Sequence, residues 1–214
     1  MKLELDHVFI LVEPEAKVAD LLVELGFQEG RRNKHEGQGT SNRRFFFSNG
    51  MLELLWLHDA EEAKNGPGRD LFFPERENDS GASPFGVILR RINKADFEMP
   101  FDGWKYQPDY FSPPWAFHVG SNSKYLVEPL CIYVPFIEPA ASARKKEEGT
   151  FKSIDNVLIH TPSDPFSNIL DIVDSADRLS IVQGDKHLME ITFDDRQCGK
   201  TRDFRPDIPL VINW

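Results

Sequence analysis

A histidine at position 7 and a glutamate at position 53 each stand alone among apolar neighbours, in "LELDHVFILV" and "MLELLW". If both segments are strands, period-two alternation puts Leu5, His7, Phe9 and Leu11 on one face, and Met51, Glu53, Leu55 and Leu57 on another. A carboxylate there must be paired, hydrogen-bonded or metal-bound, because burying a bare charge is very costly. His and Glu together suit Zn, Ni, Mn or Fe(II), and they equally suit a simple hydrogen-bonded pair. The pattern recurs weakly late in the chain. "IDNVLIHT" at 154–161 answers "LDHVFILV" at 5–12, and "LMEITF" at 188–193 answers "MLELLW" at 51–56, so Asn156 matches His7 and Glu190 matches Glu53. His118 in "WAFHVG" and His160 on the Asn156 face are further imidazoles that could reach a cavity.

The second stretch with chemical potential is "HEGQGTSNRRFFF", residues 35–47. Gly37 and Gly39 admit positive φ, so their N–H groups could form an anion-binding nest. Gln38, Thr40, Asn42 and Arg44 would add substrate contacts. An ordinary hairpin favours the same residue types, and its arginines could pair with Glu29 or Glu36. The loop opens a strand rather than a helix, so it is not a dinucleotide fingerprint. "GKT" at 199–201 lacks the glycine-rich loop of a phosphate cradle.

These residues need elements to hold them. "LELDHVFILV" reads as a strand buried on both faces, and "PEAKVADLLVELGF" as one amphipathic helix that starts near Pro14 and closes on Gly26. A short strand near 27–32, "RRFFFSN" and "MLELLWLH" follow, giving βαβββ over residues 1–58. Residues 59–83 are Gly-, Pro- and charge-rich, an irregular connection or lid with one docked aromatic turn at 71–73. Residues 84–137 hold four strand patterns without a convincing helix between them. Residues 138–151 form a polar excursion. The segment 152–214 is a shortened βαβ-type unit with a C-terminal strand; its helix would take Asp164 as N-cap and Pro165 at N1. Either the middle segment or the last unit could partner the first.

Composition bounds the function. The chain has 214 residues, 40% hydrophobic, which suffices for one large domain or two small modules around a shared core. A net charge of −10 argues against a nucleic-acid partner. No run reaches transmembrane length, the N-terminus lacks a signal-peptide pattern, and two cysteines make no disulfide framework; a cytoplasmic protein is expected. The 17 phenylalanines and 4 tryptophans, concentrated at 101–117, either line an apolar ligand pocket or form a homodimer contact.

"DHVFI", a helix ending "LGF", "HEGQGTSNRRFFF" and "MLELLW" together resemble the glyoxalase-like branch of the vicinal oxygen chelate superfamily, most specifically over residues 5–57. The resemblance implies an α+β fold of paired βαβββ-type units whose curled mixed sheets enclose a cavity for a small molecule. It also implies a divalent metal held by His7, Glu53 and Glu190, with Glu53 and Glu190 as catalytic carboxylates. Gln38, Thr40, Asn42, Arg44, Asn156 and His118 would contact the substrate of a lyase, isomerase or dioxygenase, or the ligand of a metal-free sequestering protein. Asn156 departs from the family pattern, since an amide is a poor ligand for these metals. With the middle segment as partner, Gly86 stands at the first-strand position and "PLCIYV" offers no carboxylate.

Overall fold

The computed structural model describes residues 2–77, 81–96, 98–137 and 150–214. The excursion expected at 138–151 lies almost wholly outside the described residues. Among these residues no helix is long and apolar enough to cross a membrane.

The first unit contains β1 (Leu3–Leu11), α1 (Ala19–Leu25), β2 (Asn33–His35), β3 (Thr40–Phe46) and β4 (Met51–Leu57). The middle segment supplies β5 (Phe85–Arg91), β6 (Gly103–Tyr106), β7 (Phe117–Gly120) and β8 (Leu130–Tyr133). All eight strands form one mixed sheet in the order β2-β3-β4-β1-β5-β8-β7-β6. The order repeats about the β1/β5 seam: β1 pairs β4 in parallel and β5 pairs β8 in parallel, while β1 and β5 run antiparallel. Strand order therefore settles the pairing that the sequence left open. The middle segment, not the last unit, completes the sheet around His7.

Residues 152–214 make a second mixed sheet of their own. It contains β9 (Ile154–Thr161), β10 (Leu179–Gln183), β11 (Leu188–Phe193), β12 (Thr201–Asp203) and β13 (Leu210–Asn213), in the order β10-β9-β11-β13-β12, with α3 (Asn168–Val173) between β9 and β10. One face of the first sheet, α1, α3 and the second sheet share a continuous apolar core. Phe27 sits at its centre, edge-on to Phe45, Phe47, Phe151 and Phe193 at centroid distances of 4.3–5.7 Å. The opposite face of the first sheet carries a smaller cluster that includes Phe9, Leu55, Ile88 and Ile132. The connection after β4 covers it: α2 (Ala60–Asn65), N-capped by Asp59, and two short turns that bury Leu71 and Phe73. This connection is more regular than its composition suggests, though the aromatic turn at 71–73 docks as expected.

Local readings changed at four places. The expected first helix is broken, with positive φ at Glu15 and Ala16 separating a turn at 14–16 from α1. Gly26 does close α1 in the left-handed conformation. The second strand starts at Asn33, and within 27–32 only Glu29 bridges to Phe45. α3 is capped by Ser167 rather than Asp164. Most consequentially, Leu5 faces away from His7: Leu5 opposes Leu89 and His7 opposes Ile88, so Asp6 is an extra residue, a β-bulge that resets the alternation. Leu5 joins the large core, while His7, Phe9 and Leu11 face the other way.

Close packing at the seam explains Gly86. A Cβ there would stand 1.9 Å from Phe9 Cε1. Gly86→Ala should cost about 1–3 kcal/mol through overpacking. Urea denaturation measures this directly, and Phe9→Leu should recover part of the loss; an unchanged midpoint in G86A would contradict the packing described.

Candidate functional site

The bulge sets the site's first side chain. A bulged pair directs neighbouring side chains together, as plain alternation would not. Asp6 Oδ2 accepts a 2.6 Å hydrogen bond from His7 Nδ1, and Asp6 Oδ1 accepts one of 2.5 Å from Arg90 Nη1. Arg90 also donates to Glu4 Oε1 at 2.8 Å. Asp6, Glu4 and Arg90 are all buried, so the charges compensate one another where water cannot. An ionised carboxylate only accepts, so Nδ1 is the donor and Nε2 is the nitrogen that His7 presents to the cavity. Arg178 of the second sheet braces the same spot, donating to Leu5 O at 2.6 Å and to Asn49 O at 3.1 Å.

Glu53 faces His7, with 3.8 Å between Oε2 and Nε2. Its other oxygen is fixed by Asn42, whose Nδ2 donates to Oε1 at 2.5 Å. The Asn42 amide is itself oriented, because its oxygen accepts the Asn33 N–H at 2.8 Å. Asn42 Nδ2 also lies 3.4 Å from His35 Nε2, and His35 Nδ1 is 2.9 Å from Thr40 Oγ1. Gln38 Nε2 donates to that hydroxyl at 2.7 Å, while Gln38 Oε1 accepts from both Tyr106 and Tyr110 at 3.2 Å. A connected polar row thus runs from Arg90 to the two tyrosines, with its only wide gap between His7 and Glu53. Burial pushes both phenols above their ordinary value, so both remain donors. Burial likewise pushes the His35 imidazole down; Glu53 opposes this and Arg44 reinforces it.

These groups line a cavity of about 500 Å³. Its walls differ in chemistry. The first unit supplies the polar side, with His7, Asn33, His35, Gln38, Asn42, Arg44 and Glu53. The connection and the middle segment supply an apolar and aromatic side that includes Leu71, Phe73, Ile88, Phe111, Phe117 and Ile132.

Of the residues singled out in the sequence, His7, Glu53, Gln38, Asn42 and Arg44 line this cavity, and Thr40 lies just behind it, bonded to Gln38. Three others lie elsewhere. Glu190 stands on β11 of the second sheet, 2.9 Å from His160, and Asn156 is on β9 of that sheet. His118, on β7, spends its Nε2 on Phe101 O at 2.8 Å. None of the three lines the cavity, because the internal repeat that suggested two of them belongs to the other sheet.

The nest reading of the loop also changes. Gly37 and Gly39 do have positive φ, but the Gly37 N–H donates to Glu62 Oε1 at 2.9 Å, and a Cβ on Gly39 would stand 2.2 Å from Asp59 O. These glycines let the loop close over the start of α2 and send Gln38 inward. Sequence reasoning passed over Asp6, His35, Tyr106 and Tyr110. Asp6 had a signal, since an acid beside a histidine in an apolar strand needs its own partner; the tyrosines lie in the aromatic stretch at 101–117 that the sequence offered as a pocket lining, but only the fold brings 106–110 beside Gln38.

The donor set does not fit the family's metal centre. Phe9 pairs with Glu53 and Ile88 with Ile132, so the second-unit positions matching His7 and Glu53 are Gly86 and Ile132, which carry no ligand. The Phe9 ring occupies the space in front of Gly86. Among the described residues no group of three His, Cys, Asp or Glu side chains is placed to hold a metal ion.

The His35 shift has a consequence for stability. Its folded-state pKa is depressed, so below about pH 6.5 the unfolded chain takes up a proton that the folded chain refuses. Stability should therefore fall as pH drops from 6.5 towards the folded value and level off beneath it. NMR titration should place the His35 midpoint below 6.5, and His35→Gln should flatten this part of the stability profile; a midpoint above 6.5 would contradict it.

No curated protein matches the chain. Among solved structures, a hypothetical protein from Staphylococcus aureus aligns over 100% of this chain and 99% of its own, at 13% identity and a TM-score of 0.60, which shows a shared fold. A 4-hydroxymandelate synthase variant from Streptomyces coelicolor aligns over 98% of this chain and 62% of its own, at 13% identity and a TM-score of 0.48, too low to carry an argument. Residues 5–100, which contain His7, Glu53 and the loop between them, match the glyoxalase-like domain family.

Proposed function

We propose that the protein is a small-molecule enzyme of the glyoxalase-like type that moves a proton at a carbon next to a carbonyl, as an isomerase or lyase. The observation that carries this reading is the oriented pair: His7 backed by Asp6 at 2.6 Å, facing Glu53 backed by Asn42 at 2.5 Å. Each group is held from behind and open in front, the arrangement that general acid–base chemistry needs.

The ligand's apolar body would lie on the Phe73–Ile88–Phe117 side, with its carbonyl turned to the polar wall. Glu53 Oε2 removes the carbon-bound proton, and the C–H electron pair becomes the new C=C bond. Nε2 of protonated His7 supplies a proton to the carbonyl oxygen, leaving an enol. Where the α-carbon carries a hydroxyl, that hydroxyl gives up its proton to become the new carbonyl as the former carbonyl carbon takes the proton back from Glu53, which yields the isomer. Where a β-substituent is present, the enol returns its proton to His7, the carbonyl re-forms and the substituent leaves with its electron pair, which is elimination. Metals serve many members of the superfamily; here His7 and Glu53 are the two donors that face each other, and the proton transfer above is carried by these side chains.

The test is deuterium exchange in heavy water, followed by NMR over a panel of aryl and alkyl ketones and aldehydes. Wild type should exchange the proton next to the carbonyl in at least one compound. Glu53→Gln and His7→Gln should each slow that exchange roughly 10²- to 10⁴-fold. Compounds that saturate the cavity with no exchange would instead make the protein a metal-free sequestering protein, the second reading of this fold.

A further inference from the structure

Arg44 lines the cavity as a cation that forms no ion pair with the described residues. Arg44 and Glu53 are direct cross-strand partners, so their Cβ atoms are about 4.5–5.5 Å apart. They nevertheless form no ion pair; Asn42 donates to Glu53 Oε1, and Oε2 lies towards His7. Arg44 instead points Nε and Nη2 at Arg31 O, at 2.9 and 2.6 Å, and Nη2 also reaches Asn33 Oδ1 at 3.2 Å. The guanidinium lies 5.2 Å from the centre of the Phe46 ring. It is therefore locked in place by neutral groups, and its Nη1 takes no hydrogen bond among the described residues. Arg43, Arg90 and Arg178, also on or beside this sheet, each hold a carboxylate. Lys34 at the mouth is exposed and already paired with Glu36 at 3.5 Å.

We infer that the ligand of this cavity is a monocarboxylate, its anionic end bound at Arg44 Nη1 and its apolar body resting on the aromatic wall of the middle segment. The inference rests on the cavity being the functional site, as in the proton-transfer reading above, but not on the chemistry performed there. A fixed guanidinium with one open edge suits a carboxylate, and its rigidity means little freedom is lost on binding. A second negative charge is disfavoured, since it would approach Glu53 one strand away. The apolar wall requires a hydrocarbon body rather than a small polar anion.

Calorimetric titration with three probes separates these features: hydrocinnamate, its neutral amide, and the dianion benzylmalonate. Hydrocinnamate should bind at least about tenfold more tightly than either of the others. Arg44→Met should bring acid and amide to parity while leaving the amide's affinity unchanged, and Arg44→Lys should keep part of the preference, which guards against a folding defect in the first variant. His7→Gln should retain the full acid preference even where deuterium exchange is lost, so failure of the proton-transfer reading is distinguishable from failure of this one. Equal binding of acid and amide by wild type, tighter binding of the dianion, no binding of any probe, or an acid preference that survives in R44M would each overturn the inference.

Discussion

One extra residue in the first strand governs the rest. Without the bulge at Asp6, strict alternation would send the Asp6 and His7 side chains to opposite faces, and no Asp–His pair could form. With it, Leu3 and Leu5 still feed the large core, while His7, Phe9 and Leu11 turn to the cavity. The bulge leaves backbone groups for other partners, and the second sheet provides them. Leu5 N–H donates to Asp177 O at 3.2 Å, and Arg178 reaches Leu5 O. The last unit thus acts as a brace beneath the site rather than as half of its wall.

The two halves of the first sheet share a topology and divide the chemistry. Equivalent positions on matching strands hold His7 and Gly86, Glu53 and Ile132. Polar groups concentrate in the first unit, where His7 and Glu53 are each bonded from behind by a fixed neighbour, while the middle segment contributes mainly apolar and aromatic side chains. Such a cavity orients a ligand by contrast: an apolar body has one wall to lie on, and its polar end has one wall to meet. Tyr106 and Tyr110 cross between the two, reaching from the middle segment to Gln38 and tying the loop at 35–40 to the far half of the sheet.

The sequence was informative where the signal was local. Isolated His7 and Glu53 in apolar strands both line the cavity, "RRFFF" is a strand as read, with Phe45 and Phe47 in the core and Arg44 in the cavity, and the closing strand lies at Leu210–Asn213. It was silent where the outcome depended on long-range competition. The resemblance of "IDNVLIHT" to "LDHVFILV" suggested Asn156 and Glu190 as partners, yet edge pairing gave β1 to β5, and no local pattern encodes that choice. Gly37 and Gly39 displayed the conformational freedom of a ligand nest, but the atoms crowding them come from distant segments: Asp109 of the middle segment at Gly37, and Asp59 and Ala63 at the start of α2 at Gly39. A bulge is similarly invisible to a period-two count, which is why Leu5 fell on the wrong face.

The central claim is that Asp6 fixes His7 with Nε2 towards Glu53. Nitrogen NMR of isotopically labelled protein reads this directly, by assigning which ring nitrogen of His7 carries the proton. The account predicts a protonated Nδ1 in a strong hydrogen bond that is lost in Asp6→Ala, with the Nε2 resonance responding to a bound ligand. A neutral ring protonated at Nε2 with a bare Nδ1, or a His7 spectrum unchanged by loss of the Asp6 carboxylate, would contradict it.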